Sequence, residues 1–373
     1  MSKIKPRILI VSMRSLYSQA FRSAEYEFED AICTFDDADM LVPEFADSFS
    51  QKISKKLGNY AGLTLGNGKL LKSGCQTSIV DKEYDLLFFI CQHFWDITCI
   101  NSIKGWRQKC KKAVLWIDEI WAKEVMEHKT KLCLKIVNNF DYIFTTQANS
   151  VQAIANLIQR PCYSLPYAVD AIKFCPYPLQ PQRNIDVYSI GRRSPIIHKS
   201  LVKLADNKDF LYLHDTLKGL QMIDYQEHRT LYSNLIKRSR YFIANKAKFD
   251  TIHQTGGQEE LGSRFFEGAA GGTVMIGIPP VCEAYNTYFN WQDAVIPIAY
   301  NTANLADIIA ELDAQPERIK KISQNNIINS LLRHDWVYRW GQILDKVGFE
   351  QTPQMLSRQA DLNNLAKLVS SSN

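Results

Sequence analysis

Gly256-Gly-Gln-Glu-Glu-Leu-Gly-Ser-Arg-Phe-Phe-Glu-Gly-Ala-Ala-Gly-Gly-Thr-Val-Met-Ile276 reads as a loop, a helix and a buried strand in immediate succession. The loop ends near Glu259, a helix is expected over 263–271, and Thr273-Val-Met-Ile276 is an apolar run of strand length. A helix starting near Ser263 leaves the amides of Gly262, Ser263 and Arg264 without intrahelical partners, at the positive end of the helix dipole. Such an end suits a diphosphate. One turn further on, Glu267 carries two acceptor oxygens and no donor once ionised, the chemistry that receives two adjacent ribose hydroxyls. The bland alternative is an exposed acidic helix start, because Glu in a first turn is common.

The same grammar extends in both directions. Arg7-Ile-Leu-Ile-Val-Ser12, Asp85-Leu-Leu-Phe-Phe-Ile-Cys91, Ala113-Val-Leu-Trp-Ile117 and Tyr142-Ile-Phe-Thr-Thr146 are unalternating apolar runs, as strands buried on both faces should be. Helices are expected over 23–35, 99–111, 122–138 and 149–158. Downstream, strands are expected over 186–190, 210–213, 241–244, 273–276 and 294–297, with helices over 198–207, 227–239, 263–271, 303–313 and 316–332. Alternation of this kind specifies an α/β chain with parallel sheets and crossover helices. Prolines at 161, 166, 176, 178 and 181 interrupt it once. The expected organisation is therefore an N-terminal doubly wound domain over 1–165, a proline-rich linker over 166–184 and a second doubly wound domain over 185–348. A final segment, 349–373, is expected to pack back on the first domain. Ligands of such folds sit beyond the carboxyl ends of the strands, here in a cleft between two facing domains that close about the linker.

Composition sets bounds on this reading. The 373 residues suit two domains, and 46% hydrophobic with 22% charged residues excludes a disordered or fibrous chain. A net charge of +5 gives no case for nucleic acid. Nine scattered cysteines without a Cys-x-x-Cys pair fit reduced thiols, hence a cytoplasmic protein, and neither a disulfide framework nor a zinc site. The apolar run near the N-terminus is too short for a secretory leader, and no stretch reaches membrane-spanning length. Charge is unevenly spread: nine acidic residues face only Arg22 between Ser15 and Asp47, whereas Gln51 to Lys135 holds fifteen Lys or Arg against eight Asp or Glu. A basic helical face with Lys104, Arg107, Lys109, Lys111, Lys112 and Trp106 is expected to be solvated, or to rest peripherally on an anionic membrane.

Glu259-x7-Glu267, with Gly262 between and Gly271-Gly272 before the strand, resembles the Glu-x7-Glu motif of retaining glycosyltransferases of GT-B fold, the group 1 or glycogen-synthase-like superfamily, with CgeB-like relatives. Leu261 stands where that pattern has Phe, and Val274 where it has Pro. Ser164-Leu-Pro-Tyr-Ala-Val-Asp-Ala-Ile-Lys-Phe-Cys-Pro176 is similar to the family's interdomain crossing, and His334-Asp335-Trp336 with the amphipathic stretch after it is similar to the family's C-terminal helix. Three matches in order cover most of residues 160–348.

The resemblance implies two Rossmann-like domains and transfer of a hexose from a nucleotide diphosphate sugar to a hydroxyl acceptor, a sugar or a lipid-linked one, with retention. It implies no cofactor and no metal. In that scheme Glu267 and the Gly262, Ser263 and Arg264 amides hold the nucleotide, and Glu259 touches sugar hydroxyls. Gly191 and Arg192 face the diphosphate; the partner cation of Arg192 is Lys199, Arg193 or His198, because Lys199 lies seven residues beyond Arg192 where the family has about five. His93 closes the site, and Asp118 and Glu119 contact the acceptor. The chain departs from the family after its first strand, where Ser12-Met-Arg-Ser-Leu-Tyr-Ser18 has no glycine and Arg14 and Ser15 take the place of a glycine turn. Two rival readings keep the fold: a nucleotide-sugar 2-epimerase, whose His-rich pattern is not found, and a nucleotide-sugar-binding protein without turnover.

Overall fold

The computed structural model describes residues 7–207, 209–216 and 219–372. The first six residues, part of the stretch read for a leader, lie outside them. The chain divides into two compact units, the first comprising Met1–Pro166 with Ile343–Gln354 and the second Tyr167–Gln342 with Met355–Asn373.

The first unit is built on a parallel sheet of six strands in the order β2-β1-β4-β6-β7-β8. These are β1 Ile8–Val11, β2 Ala38–Leu41, β4 Tyr84–His93, β6 Cys110–Glu119, β7 Tyr142–Thr145 and β8 Cys162–Ser164; a separate two-stranded pair joins β3 Ser78–Ile79 to β5 Ile103–Lys104. The unalternating runs have a simple origin. Successive residues of a strand point to opposite faces, and both faces are covered. Phe88 meets Phe28 of the helix Ser23–Phe35 edge to face at 5.6 Å, while Phe89 points the other way and stacks on Phe140. Each fully buried Phe contributes about 1.5–3 kcal/mol.

The second unit carries a parallel sheet in the order β10-β9-β11-β12-β13, with β9 Ile185–Ser189, β10 Tyr212–His214, β11 Ser239–Ile243, β12 Val274–Gly277 and β13 Ile296–Pro297. Val187 is in register with both Tyr212 and Tyr241, and Tyr241 with Val274. One face packs Val187, Ile243, Val274 and Ile276 against Ile197, Leu201, Leu305 and Ile309. Helices Pro195–Asn207, Tyr225–Lys237, Ser263–Ala270, Leu305–Asp313 and Pro316–Arg333 cover the sheet close to their expected positions.

Several expectations are corrected. Residues 99–111 are not one helix: Gly105 takes a left-handed φ of +78°, and residues from Cys110 onward join β6, where the β4 ladder supplies backbone partners. The helix expected over 122–138 is two, Ala122–Val125 and His128–Val137, separated by an extended Glu127, and 149–158 keeps only Val151–Ala155 as α-helix. Strand β2, strand β8 and the helix Phe49–Leu65 are additions.

Residues 166–184 are not a free linker. Ala168, Val169, Ala171, Phe174 and Cys175 are buried, and Val169 pairs with Asp335. The C-terminal segment also differs from expectation: 343–354 belongs to the first unit, where the Phe349 ring lies under Lys112, but 355–373 belongs to the second. Arg358 explains the second placement. It pairs with Asp170 at 2.6 Å and with buried Asp335 at 2.7 Å, and Asp335 also accepts the amides of Ala171 and Val337.

Candidate functional site

In the second unit, the chain leaves the carboxyl ends of β9, β11 and β12 along one edge of the sheet. After β9, Gly191 adopts φ +83°, a conformation that a residue with a Cβ reaches only with strain, and its amide donates to Asp215 at 3.2 Å. Arg193 is half-buried and approaches the same carboxylate at 3.6 Å. Arg192 turns to Asp250 at 2.9 Å and stays largely exposed. The other two candidate cations have different surroundings: Lys199 is exposed on the helix Pro195–Asn207, whereas His198 Nδ1 is bonded to the Tyr212 hydroxyl at 2.9 Å. Burial, then the charge of Arg193, depress the His198 pKa.

After β11, Lys246 pairs with Glu259, which also accepts the Val281 amide at 2.7 Å. Burial acts to raise the Glu259 carboxyl, but Lys246 and that amide outweigh it and hold the group below its ordinary value. The helix Ser263–Ala270 then starts at Gly262, an extended N-cap with no side-chain cap, so the first-turn amides of Ser263 and Arg264 are the unpaired donors expected from sequence.

Glu267 is engaged by protein partners. Its side chain is 2% exposed, and both carboxylate oxygens are engaged. Arg229 donates to Oε1 at 2.5 Å; Tyr232 at 2.9 Å and Arg264 at 2.6 Å donate to Oε2. The acceptor edge predicted for ribose hydroxyls faces protein. Burial alone would push this carboxyl up, yet Arg264 and Arg229 override it and bring its pKa to about 2. Glu267 therefore neutralises Arg229, itself 1% exposed, and steadies Arg264, whose side chain remains 28% exposed.

Arg229, Tyr232, Lys246, Asp215 and Asp250 are the residues that sequence reasoning missed. For Arg229 a signal existed: the buried positions of helix Tyr225–Lys237 are Arg229, Tyr232, Ser233 and Ile236, the core-facing stripe of an amphipathic helix. An arginine in such a stripe demands a buried anion.

The remaining predicted residues lie in the first unit, at the carboxyl edge of its sheet. His93 ends β4 in register with Glu119 at the end of β6. Glu119 accepts the Trp121 indole N–H at 2.9 Å. Asp118, expected on the acceptor side, is buried, accepts from the Gln92 amide, and meets the Thr146 hydroxyl at 3.1 Å. Arg14 and Ser15 are also committed within the unit, Arg14 to Glu29 at 2.8 Å and Asp30 at 3.0 Å, Ser15 to the Pro43 carbonyl. They do not replace a glycine turn as open donors. Glu25, Glu27 and Glu29 of the acidic helix are all buried. Desolvation raises Glu29 to about 7 against the opposing pull of Arg14 and Ser12.

The basic face expected around 104–112 is partly built into the unit, with Lys104 exposed. Trp106 is buried beside Phe140, Arg107 pairs with Asp141, Lys111 with Asp85, and Lys112 donates to the Val347 carbonyl. Among the described residues, no three His, Cys, Asp or Glu side chains gather in a metal-holding arrangement, and no helix is long and apolar enough to cross a membrane.

A family model described as glycosyl transferase-like matches residues 202–345, the stretch that contains Arg229, Lys246, Glu259 and the Ser263–Ala270 helix. The likeness to that family is confined to residues 202–345, less than half of the chain. The solved structures similar to the chain are GT-B proteins and bring both units into the comparison. HepE of Anabaena, in complex with UDP and glucose, is 11% identical with a TM-score of 0.56, over 92% of this chain and 99% of that one. An α,α-trehalose-phosphate synthase (UDP-forming) from Burkholderia vietnamiensis is 10% identical with a TM-score of 0.54, over 99% of this chain and 100% of that one. An α-glucosyltransferase in complex with UDP and a 13-mer DNA is 12% identical with a TM-score of 0.50, over 92% and 99%. No curated protein matches the chain by sequence. Around the transferase-like domain, then, the fold is GT-B: two Rossmann-like α/β units with parallel sheets.

Proposed function

We propose that the chain is a hexosyltransferase that moves a sugar from a nucleoside diphosphate sugar to a hydroxyl acceptor with retention, without a metal, in glycan or glycolipid assembly. The observation that carries this reading is the cation-rich carboxyl edge of the second unit's sheet. There Arg264 stands at the start of an uncapped helix, anchored by buried Glu267, with Arg192 and Arg193 in the loop after β9. The leaving group of such a transfer is a nucleoside diphosphate whose negative charge grows as the glycosidic bond breaks. Fixed cations and oriented amides stabilise that charge more in the transition state than in the ground state.

In this reading Arg192, Arg193 and Arg264 with the Ser263 and Arg264 amides hold the diphosphate, and Glu259 receives sugar hydroxyls. Glu267 acts as a positioning residue, not as a ligand of ribose. His93 and Glu119 are assigned to the sugar and acceptor side. HepE and the α-glucosyltransferase are described with UDP, and the trehalose-phosphate synthase is described as UDP-forming, which makes uridine the first base to test. Thermal shift with UDP, GDP and ADP, followed by donor turnover with the matching nucleotide sugar, tests the proposal. One diphosphate should raise the melting temperature, and its sugar should be consumed only in the presence of an acceptor. Absence of any shift across the panel rejects it, and acceptor-free isomerisation of the sugar turns it into an epimerase.

A further inference from the structure

The helix Phe49–Leu65 packs on the first unit through its smallest residues. A Cβ on Gly58 would stand 2.8 Å from the Leu70 carbonyl oxygen, and one on Gly62 would stand 2.8 Å from Leu71 Cδ2. The large side chains point the other way: Phe49 is 79% exposed, Ile53 42%, Leu57 64% and Tyr60 73%. At 100° per residue these four fall within an arc of about 80°, along a stripe of about 16 Å. An apolar stripe on a helix ordinarily faces a core. Here the glycine edge takes that place and the stripe is left outside.

The charge along the helix is one-signed, although exposed Glu44 and Asp47 precede it. Residues 48–80 contain five lysines, Lys52, Lys55, Lys56, Lys69 and Lys72, and no Asp or Glu. Lys52 and Lys56 are exposed and lie within one turn of Ile53, Leu57 and Tyr60, along one border of the stripe. Phe45, just before the helix, adds a further exposed aromatic ring.

We infer that this face docks on an anionic lipid bilayer, with Phe49, Ile53, Leu57 and Tyr60 entering the interfacial layer and Lys52 and Lys56 reaching lipid phosphates. Apolar stripe and basic border together are the requirements of an interfacial helix, and each lysine near an anionic leaflet adds to the attraction. A second copy of the chain is the poorer fit, because pairing this face with itself sets the lysines of the helix against lysines, with Asp47 alone beside Lys52 and Lys55. The inference is independent of the transferase reading. It also places the membrane contact at 49–60, where the exposed apolar stripe lies, and not at 104–112, where Trp106 is buried.

The test is co-sedimentation of the full chain with vesicles of phosphatidylcholine alone or mixed with phosphatidylglycerol, at low and high salt. Wild type should pellet with the mixed vesicles at low salt and be released at high salt. Phe49→Ser combined with Leu57→Ser, and separately Lys52→Glu combined with Lys56→Glu, should each weaken binding by about tenfold or more. Both variants alter solvent-facing positions. Retention of wild-type circular dichroism and of any nucleotide-dependent thermal shift shows that they remain folded. Failure of wild type to bind mixed vesicles at low salt overturns the proposal, as does equal binding to neutral vesicles or unaltered binding by either variant. Light scattering that shows a dimer lost in Phe49→Ser/Leu57→Ser, with no vesicle binding by wild type, assigns the face to self-association instead.

Discussion

Replacing Glu267 by Ala should destabilise the second unit far more than a surface carboxylate would. Arg229, 1% exposed, loses its 2.5 Å carboxylate partner, while Tyr232 and Arg264 lose their common acceptor. Breaking a buried ion pair from one side costs about 3–5 kcal/mol. Urea titration followed by hydrogen exchange should show the loss in the peptides covering Tyr225–Lys237 and Ser263–Ala270, with the β1 and β4 peptides of the first unit as internal reference. Replacing both partners, Arg229→Met with Glu267→Met, removes both charges. The double variant should therefore be more stable than the sum of the single losses, by a coupling of about 0.5–3 kcal/mol. The pH response has a defined sign. The carboxyl is held at about 2, below the ordinary 4.5, so its contribution is complete above pH 4.5 and is lost as the pH falls toward 2, about 3 kcal/mol in all. The reasoning fails if Glu267→Ala leaves the urea midpoint and local exchange unchanged while calorimetry shows weaker nucleotide binding. That result would return Glu267 to the ribose.

Other consequences follow from individual residues. Glu29 titrates with the opposite sign: raised to about 7, it stabilises the first unit fully below pH 4.5, and about 3 kcal/mol should be lost between pH 4.5 and 7. Glu29→Gln should flatten that slope in urea titrations of the β1 and β4 region, and an identical slope in the variant rules Glu29 out as its source. Cys75 has its thiol lowered to about 7, first by its hydrogen bond with Cys99 at 3.5 Å, whereas partial desolvation, then the charge of Asp30, raises Cys33 to about 11. Iodoacetamide at neutral pH should therefore modify Cys75 before Cys33, as read by peptide mass spectrometry; the reverse order contradicts the assigned surroundings. Under the proposed function, Arg192→Ala should lower turnover more than donor affinity, because its partner gains charge in the transition state. Steady-state kinetics that show a change in KM alone would remove it from the diphosphate.

By itself the sequence determined the class of structure. Unalternating apolar runs at β1, β4, β6 and β11 specify strands covered on both faces, and that covering requires crossover helices, so periodicity alone leads to two parallel sheets. Gly262 before Ser263 likewise marked a helix start that the structure keeps. Partnership was decided only by the tertiary structure. Whether Glu267 meets solvent or Arg229 depends on a helix 38 residues away in sequence, and neither residue's local pattern contains the other. The same holds for Asp118, held by Gln92 of β4 and by Thr146 just after β7, and for Trp106, which packs beside Phe140 in the core. In the helix Phe49–Leu65 the tertiary structure reverses the usual rule, burying glycines and exposing aromatics. Local sequence sets what the backbone can do; desolvation and charge pairing between distant segments settle which side chains remain available.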